Sequence, residues 1–250
     1  MQTGAMQAPA AALLNDQAWV VSDDGRLGDI AAGSALLRRT VALQTNPLVR
    51  IYRPRPVVAF GSSDRRSAGF DDAFGIVHAH GFVPLVRAPG GHAVAYHRQS
   101  LCIEFFAPSQ DPHRDIHERF DAIGNIFRAA LAKLGIDAQL GSVPDEYCPG
   151  KHSLNVDGEY KLIGTAQRIV KGGWMFGAGV VCANPQVIRD VLTDVYAALE
   201  LPFDPNSVGA TQELSPIADV GAVQRALVET LHETLDIDID RSARLNDLLW

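Results

Sequence analysis

The segment HSLNVDGEYKLIGTAQRIV, from His152 to Val170, carries the clearest strand signal in the chain. Two runs of strand-forming residues flank Asp157 and Gly158, and an Asp-Gly pair readily adopts the two positive φ angles of a type I′ turn. The segment therefore predicts a β-hairpin with a two-residue turn, and the other elements are placed around it.

Regular alternation along the second strand of this hairpin predicts which side chains share a face. It places Lys161 on one face with Ile163, Thr165 and Gln167, and puts Gly164 on the other. Such a face suits an amphiphilic ligand, because the apolar part of the ligand would lie on aliphatic side chains and the Lys161 ammonium would donate to a ligand oxygen. Gly164 then indicates close approach of a ligand or of another backbone. The alternative is a solvated lysine whose stem covers apolar neighbours.

The remaining chain alternates between strand-like runs and amphipathic segments. The predicted helices span Gly33 to Leu43, Gly69 to His80, Asp115 to Leu134, Gln186 to Leu199 and Gly221 to Leu235. Strand-like runs are AWVV from Ala18, LVRIYR, PVVAFG, FVPLVRAPGGHAVAYH, SLCIEFFAP and Trp174 to Cys182. This order predicts an α/β (α+β) fold, in which a mixed β-sheet is flanked by helices. Residues 1–30 are expected to be a partly disordered leader, and residues 31–250 one domain.

Composition and charge exclude several classes of protein. Hydrophobic residues make up 47% and charged residues 20% of the 250 residues, and the net charge is -7. The acidic balance argues against a general nucleic-acid or anionic-membrane binder. We find neither an apolar run of about 20 residues nor a signal peptide, so a cytoplasmic location is expected. The three cysteines lack CxxC spacing. No cysteine or acidic cluster accompanies His78 and His80, and one solvated helix face explains His113 and His117, so no metal site is predicted.

The segment VRAPGGHAVAYH, from Val86 to His97, contains a Pro-Gly-Gly turn beside Arg87. Paired glycines let a backbone approach a ligand and leave amide N–H groups free to hold an anion, and the arginine adds a fixed charge. The same glycines are also common in an ordinary turn between two strands.

Cys148 lies in the loop-like segment DEYCPGKHS, whereas Cys102 and Cys182 sit in apolar strand-like runs typical of core residues. Lys151 and His152 follow Cys148 closely enough to assist a thiolate, so a nucleophilic role is physically reasonable. A structural loop cysteine is the alternative.

Taken together, RAPGGHAVAYH and NVDGEYKLIGTAQR resemble the lipoate-protein ligase A and octanoyltransferase family, whose catalytic domain is related to biotin ligases. The first motif is matched by Arg87, Gly90, Gly91, Ala93 and Val94, and the second by Gly158, Lys161, Ile163, Gly164, Thr165, Ala166 and Gln167. The resemblance covers residues 33–214 and implies that residues 31–250 form a lipoate-ligase-like catalytic domain. Departures from the family pattern include Val86, Pro89, Tyr96 and the pair Glu159-Tyr160.

The resemblance implies roles for individual residues. Lys161 and Cys148 are the implied catalytic residues, the lysine contacting the acyl carbonyl and the cysteine holding the acyl group. The implied acyl- or adenylate-binding residues are Arg87, Gly90, Gly91, His92, Ala93, Val94, Asn155, Ile163, Gly164, Thr165 and Ala166.

The implied activity is attachment of a lipoyl or octanoyl group to a lysine of a lipoyl domain. A ligase would activate lipoate with ATP and Mg²⁺, whereas a transferase would move octanoate from acyl carrier protein through a cysteine thioester. A non-catalytic acyl-binding homologue is the third possibility. Expected partners are lipoyl domains of 2-oxoacid dehydrogenases or the glycine cleavage H protein, with neither nucleic acid nor membrane, no tightly bound cofactor, and a monomeric state.

Overall fold

The computed structural model describes residues 19–28, 30–87 and 89–235 of the chain. Residues 1–18 of the predicted leader and residues 236–250 of the predicted domain lie outside the described residues. The strand predicted from Ala18 to Val21 corresponds to the first strand, Trp19–Gly28, which is longer than expected.

The helices begin and end within two residues of their predicted bounds wherever the sequence predicts one. They are α1 (Ala32–Leu43), α2 (Phe70–Ala79), α3 (Ile116–Ala132), α4 (Gln186–Ala198), the short α5 (Thr211–Leu214) and α6 (Val220–Leu235). Short 3-10 turns lie at Asp64–Arg66 and Pro205–Ser207. No helix in these described ranges combines the length and the apolar character needed to span a membrane.

The strands of the described residues form two sheets. They are β1 (Trp19–Gly28), β2 (Leu48–Pro54), β3 (Val57–Phe60), β4 (Val83–Val86), β5 (Val94–Tyr96), β6 (Ser100–Pro108), β7 (Gln139–Leu140), β8 (Leu154–Val156), β9 (Tyr160–Val170) and β10 (Gly173–Val181). The large sheet has the order β1-β2-β6-β10-β9-β8-β7, and the small one β4-β3-β5. Parallel pairs, β1 with β2 and β3 with β4, combine with antiparallel ones, which confirms the predicted mixed architecture.

Each face of the large sheet buries a different apolar layer. Helices α3 and α6 cover one face, where Phe105 and Phe176 of the sheet meet Phe127 of α3 in the largest apolar cluster. On the other face, α1 packs through Leu36 and Leu37. The small sheet forms a second core with α2 and α4. The large sheet is therefore covered on both faces, and any ligand must enter between it and one of its covering layers.

The hairpin turn is the predicted one, because Asp157 and Gly158 have φ angles of 57° and 72°. The strand after it is not regular, however. Leu154 pairs with Ile163 while the next residue, Asn155, pairs with Lys161, so Leu162 is an extra residue that forms a β-bulge.

This bulge makes the predicted face wrong. Leu162 and Ile163 both enter the core beneath α3 and α6. Lys161 instead shares the opposite side of the strand with Gly164, where a Cβ would lie 3.3 Å from Cε of the lysine. An extra residue reverses the alternation of a strand, so Lys161 and Ile163 lie on opposite faces.

Candidate active site

A cavity with about 860 Å³ of empty space, including the part open to solvent, lies between the large sheet and its cover. Its floor is formed by β9, β10 and β6, and its cover by the start of α1 and the loop after β4. Space for it exists because small residues occupy neighbouring floor positions: Gly177 of β10 pairs with Ala166 of β9, and the next inward-facing position on β9 is Gly164.

Cys148 lines this cavity in a strained conformation. Its φ angle is 43°, a left-handed value that costs a non-glycine residue about 1–3 kcal/mol. The Tyr196 hydroxyl of α4 accepts a hydrogen bond from the Cys148 N–H at 2.6 Å and donates one to the Ala93 carbonyl at 3.0 Å. Tyr196 thus stabilises the unusual backbone and ties the cysteine loop to the glycine segment.

The thiol of Cys148 is partly exposed and lies against a guanidinium. Nη2 of Arg87 is 3.2 Å from Sγ of Cys148 and 3.1 Å from the carbonyl oxygen of His92. Gly91 borders the same point, since a Cβ there would lie 2.6 Å from Sγ. A side chain at Gly91 would therefore displace the sulfur or the arginine.

Lys161 is almost fully buried behind the cysteine loop. Its Nζ atom donates to the Tyr147 carbonyl at 2.8 Å and the Cys148 carbonyl at 3.0 Å, and lies 3.3 Å from Oε1 of Glu146. Burial lowers the pKa of the ammonium, while the charge of Glu146 acts in the opposite direction. These three partners match its three N–H donors, so contact with an acyl carbonyl would require one of these bonds to exchange.

Glu146 organises the rest of the loop. Its carboxylate accepts hydrogen bonds from the backbone N–H groups of Val143 and Gly150 and from the Ser153 hydroxyl, at 2.8 to 3.1 Å. Glu146 and Lys161 form a buried ion pair, and the carboxylate oxygens of Glu146 also accept these three hydrogen bonds. The pair holds the cysteine loop at the floor of the cavity.

The cavity wall farther along the sheet is polar. Glu104 of β6 accepts from Nη1 of Arg50 at 3.1 Å and from the Tyr52 hydroxyl at 3.1 Å. Cys102 also lines this region, and burial raises the pKa of its thiol far above the usual range. Burial likewise raises the pKa of Cys182 to about 12, so these two cysteines stay protonated while Cys148 has an arginine partner.

The structure brings many of the predicted residues together. Arg87, Val94, Cys148, Lys161, Gly164, Thr165 and Ala166 line the cavity. Gly91 touches the thiol, and His92 supplies the carbonyl that holds Arg87.

Other predicted residues lie elsewhere. Ile163 faces the core beneath α3 and α6, and Asn155 is buried in hydrogen bonds with the Gly141 carbonyl and Gly158 N–H, so neither lines the cavity. Ala93 is buried in the second core, and Gly90 is exposed without lining the cavity. The bulge explains Ile163, and the tight turn explains Asn155, whose side chain caps it.

The predicted neighbours of the thiol also differ. The ring of His152 stacks on that of Phe120 in α3, with 4.1 Å between the ring centroids. The cation that lies against Cys148 is Arg87. Sequence reasoning missed Glu146, Tyr196 and Glu104. Only Glu104, a charge within the apolar run SLCIEFF, carried a signal that would have singled it out.

The fold resembles that of lipoate-protein ligases. Ta0514, a putative lipoate protein ligase from T. acidophilum with bound lipoic acid, superposes with a TM-score of 0.69 at 20% identity over 93% of this chain and 91% of its own. A lipoate-protein ligase A bound with ATP gives 0.69 at 21% identity over 93% and 92%. The predicted fold class is confirmed.

Sequence comparison defines the family. The model of the lipoyl protein ligase A/B catalytic domain matches residues 29–241, and the chain belongs to this family, as its two motifs predicted. It is 29% identical over 168 residues to octanoyl-[GcvH]:protein N-octanoyltransferase of Geobacillus kaustophilus, covering 64% of this chain and 59% of that protein. The lipoyl-[GcvH]:protein N-lipoyltransferase of Listeria monocytogenes is 22% identical, covering 74% and 69%.

An enzyme from Exiguobacterium sibiricum with the same octanoyltransferase name is 31% identical over 147 residues, covering 57% of this chain and 53% of its own length. The chain therefore spans between half and three fifths of the length of these two octanoyltransferases.

Proposed function

We propose that this protein is an acyltransferase that moves an octanoyl or lipoyl group through a thioester at Cys148 onto a lysine of a lipoyl domain. The observation that carries the proposal is the thiol of Cys148, which lines the cavity and lies 3.2 Å from the guanidinium of Arg87. A cation beside a sulfur is the surrounding that reactive cysteines use.

The reaction has two steps. The Cys148 thiolate attacks the acyl carbonyl of the donor, and the bond to the donor's nitrogen or sulfur breaks as that leaving group takes a proton. The acceptor lysine, as a neutral amine, then attacks the thioester, forms an amide, loses a proton and releases the thiolate. Arg87 serves as counter-ion of the thiolate in both halves, and the acyl chain lies over Gly164, Ala166 and Gly177.

In this scheme Lys161 mainly positions the loop that carries Cys148. Its bonds to the Tyr147 and Cys148 carbonyls fix the loop that presents the sulfur. A donor role toward the acyl carbonyl remains part of the proposal, and it requires the ammonium to release one of its present acceptors.

The relatives' names indicate the partners. Three of them are described as transferring an octanoyl or lipoyl group from GcvH to a protein. We therefore propose octanoylated GcvH as donor, with acyl carrier protein as the second donor to test, and lipoyl domains of 2-oxoacid dehydrogenases as acceptors. The reaction would take place in the cytoplasm, and neither ATP nor Mg²⁺ is needed for it.

The test is intact-mass spectrometry of the purified chain incubated with octanoyl-GcvH or octanoyl carrier protein, followed by an apo lipoyl domain. The expected result is a hydroxylamine-labile octanoyl adduct on the enzyme, then octanoylated acceptor without ATP. Cys148→Ala should abolish both. Cys182→Ala should keep them, because Cys182 lies outside the cavity lining.

Two results would contradict the proposal. Acceptor modified only with lipoate, ATP and Mg²⁺, and equally by Cys148→Ala, would identify a ligase. No mass gain on enzyme or acceptor with any donor would identify a protein that binds acyl groups without transferring them.

A further inference from the structure

We propose that Tyr96 is a further catalytic residue, whose hydroxyl donates a hydrogen bond to the acyl oxygen when negative charge develops on it at Cys148. The inference rests on the proposed function, because it concerns the tetrahedral intermediate of the same transfer. It starts from one observation: Tyr96 lines the cavity with 8% of its surface exposed, and its hydroxyl has no hydrogen-bond partner among the described residues.

The Tyr96 hydroxyl is available to a ligand. In contrast to the unpaired Nε2 atom of His97, the phenol oxygen is not fully enclosed, so it keeps contact with the cavity that Tyr96 lines. A buried tyrosine hydroxyl usually has a hydrogen-bond partner, and a ligand in the cavity supplies the partner that the described protein does not.

The hydroxyl lies at the reactive end of the cavity. Tyr96 comes from β5, and its ring packs on Gly179 of β10, where a Cβ would lie 2.7 Å from the phenol oxygen. Gly179 pairs with Gly164 of β9, where a Cβ would lie 3.7 Å from Nζ of Lys161. Cβ positions of such a pair are about 4.5–5.5 Å apart, so the hydroxyl and the ammonium lie over neighbouring positions of the sheet. The same ammonium holds the Cys148 carbonyl at 3.0 Å.

The strand that carries Tyr96 is tied to the cysteine loop. Ala93, the residue before β5, accepts a hydrogen bond from the Tyr196 hydroxyl at 3.0 Å, and that hydroxyl accepts one from the Cys148 N–H at 2.6 Å. The clamp fixes the backbone of both segments before an acyl group binds. A donor that is held in advance stabilises a developing charge without the cost of reorganisation.

Other donors near the thiol are already engaged. Nζ of Lys161 has three partners, and Nη2 of Arg87 donates to a backbone carbonyl at 3.1 Å. The Thr165 hydroxyl also donates to a backbone carbonyl, at 2.8 Å. Tyr96 can therefore contact the acyl oxygen without breaking a hydrogen bond of the free protein.

The hydrogen bond acts on the tetrahedral intermediate. When the Cys148 thiolate attacks, a C–S bond forms and the carbonyl π electrons move to the oxygen. The oxyanion re-forms the carbonyl as the bond to the donor breaks, and a fixed donor stabilises it more than it stabilises the carbonyl. Burial raises the pKa of the Tyr96 hydroxyl well above its usual range, so the phenol keeps its proton throughout. The leaving amine gains one proton and the acceptor amine later releases one.

Tyr96→Phe tests the inference, because it removes the oxygen and keeps the ring on Gly179. Mass spectrometry of the full chain, mixed with whichever of octanoyl-GcvH and octanoyl carrier protein acylates the original protein, gives the rate of acylation at Cys148. We expect this rate to fall by about 100-fold. Alkylation by iodoacetamide forms no oxyanion, so its rate at Cys148 should change by less than about twofold. Tyr160→Phe, at an exposed tyrosine, is the matched control and should keep both rates.

A second measurement does not require transfer. The Cys148 thiol can add across the carbonyl of octanal, with the sulfur bonding to carbon and the proton passing to oxygen, and the hemithioacetal has the tetrahedral shape of the intermediate. Calorimetry should show that Tyr96→Phe weakens octanal binding about tenfold. When Cys148→Ala is also present and no adduct forms, the effect of Tyr96→Phe should shrink to less than about twofold.

Equal acylation rates in the original protein and the Tyr96 variant would overturn the inference and leave the proposed transfer standing. Alkylation slowed as much as acylation would show that the phenol merely places the thiol, and would also overturn it. If no donor acylates Cys148 but octanal binds in a Tyr96-dependent way, the proposed transfer is wrong and the role of Tyr96 as a donor stands. If Cys148 is neither acylated nor forms an adduct with octanal, both are wrong.

Discussion

Arg87 and Cys148 are 61 residues apart in the chain, yet Nη2 of the arginine lies 3.2 Å from Sγ of the cysteine. The arginine follows the small sheet and the cysteine belongs to the loop before the hairpin, so the contact joins the two parts of the molecule that carry the sequence motifs.

This contact predicts that Arg87→Met slows alkylation of Cys148. Without the guanidinium, the thiolate loses its counter-ion, and we expect the rate with iodoacetamide at pH 7.5 to fall about tenfold. Peptide mass spectrometry over a time course measures the rate at Cys148 alone. Arg98→Gln, which changes an exposed arginine, is the control and should react at the original rate. Equal rates in the Arg87 variant would remove the arginine from the proposed mechanism.

Lys161→Ala is predicted to destabilise the protein as well as impair transfer. The substitution leaves the Glu146 carboxylate buried without its cation, so we expect the free energy of unfolding to fall by about 3 kcal/mol. Urea unfolding followed by circular dichroism gives the value. Lys151→Ala, at an exposed neighbour, should change it by less than about 0.5 kcal/mol. A Lys161 variant as stable as the original would show that the ion pair contributes little.

The stability of the protein should decline as the pH falls below 6.5, in part through His97. Nδ1 of His97 accepts a hydrogen bond from the Gln99 N–H, and burial lowers the pKa of the imidazole from 6.5. Between its native pKa and 6.5 the unfolded chain binds more protons than the native one, so acid favours unfolding.

His97→Asn tests this pH dependence, because the Asn oxygen can replace Nδ1 as acceptor and does not titrate. Melting temperatures measured from pH 7.5 to 5.0 should decrease less in the variant than in the original protein. The remaining decrease has a further source in His152, whose pKa burial also lowers. Parallel curves for the two proteins would contradict the assignment to His97.

Two glycine substitutions are predicted to act in opposite directions. Gly158→Ala should cost about 1 kcal/mol, because φ is 72° at the second turn position. Gly75→Ala should stabilise by about 0.5–1 kcal/mol, since Gly75 is an exposed residue of α2 and a Cβ at this position would have nothing within 4 Å. Chemical denaturation of both variants measures the difference, and a change of the same sign in both would contradict the backbone argument.

Local patterns predicted most of the secondary structure. Apolar residues at helical spacing located α3 and α6, and Asp157-Gly158 identified the type I′ turn, because these signals depend on neighbours in the sequence. The family motifs then indicated the region of the site, and Arg87, Cys148 and Lys161 do line one cavity.

The finer geometry could not be predicted from neighbours. The bulge at Leu162 arises from the way β9 pairs with β8, and it reverses which side chains of β9 face the core. A period-two sequence pattern contains no information about this pairing. Arg87 reaches Cys148 and Glu146 reaches Lys161 only after the chain has folded. Pairs that only the tertiary structure brings together leave no local periodicity, so neither pair could be read from the sequence. His152, which the sequence suggested as a partner of the thiol, stacks on Phe120 instead.

Tyr196 has a consequence for engineering. Its hydroxyl links the backbone of Cys148 to that of Ala93, and it comes from α4, a helix that neither motif includes. Grafting the glycine segment and the lysine hairpin onto another scaffold would transfer the reactive side chains but not the clamp between them. A transplant of this chemistry therefore needs three pieces, and the phenol is the one that a motif search would omit.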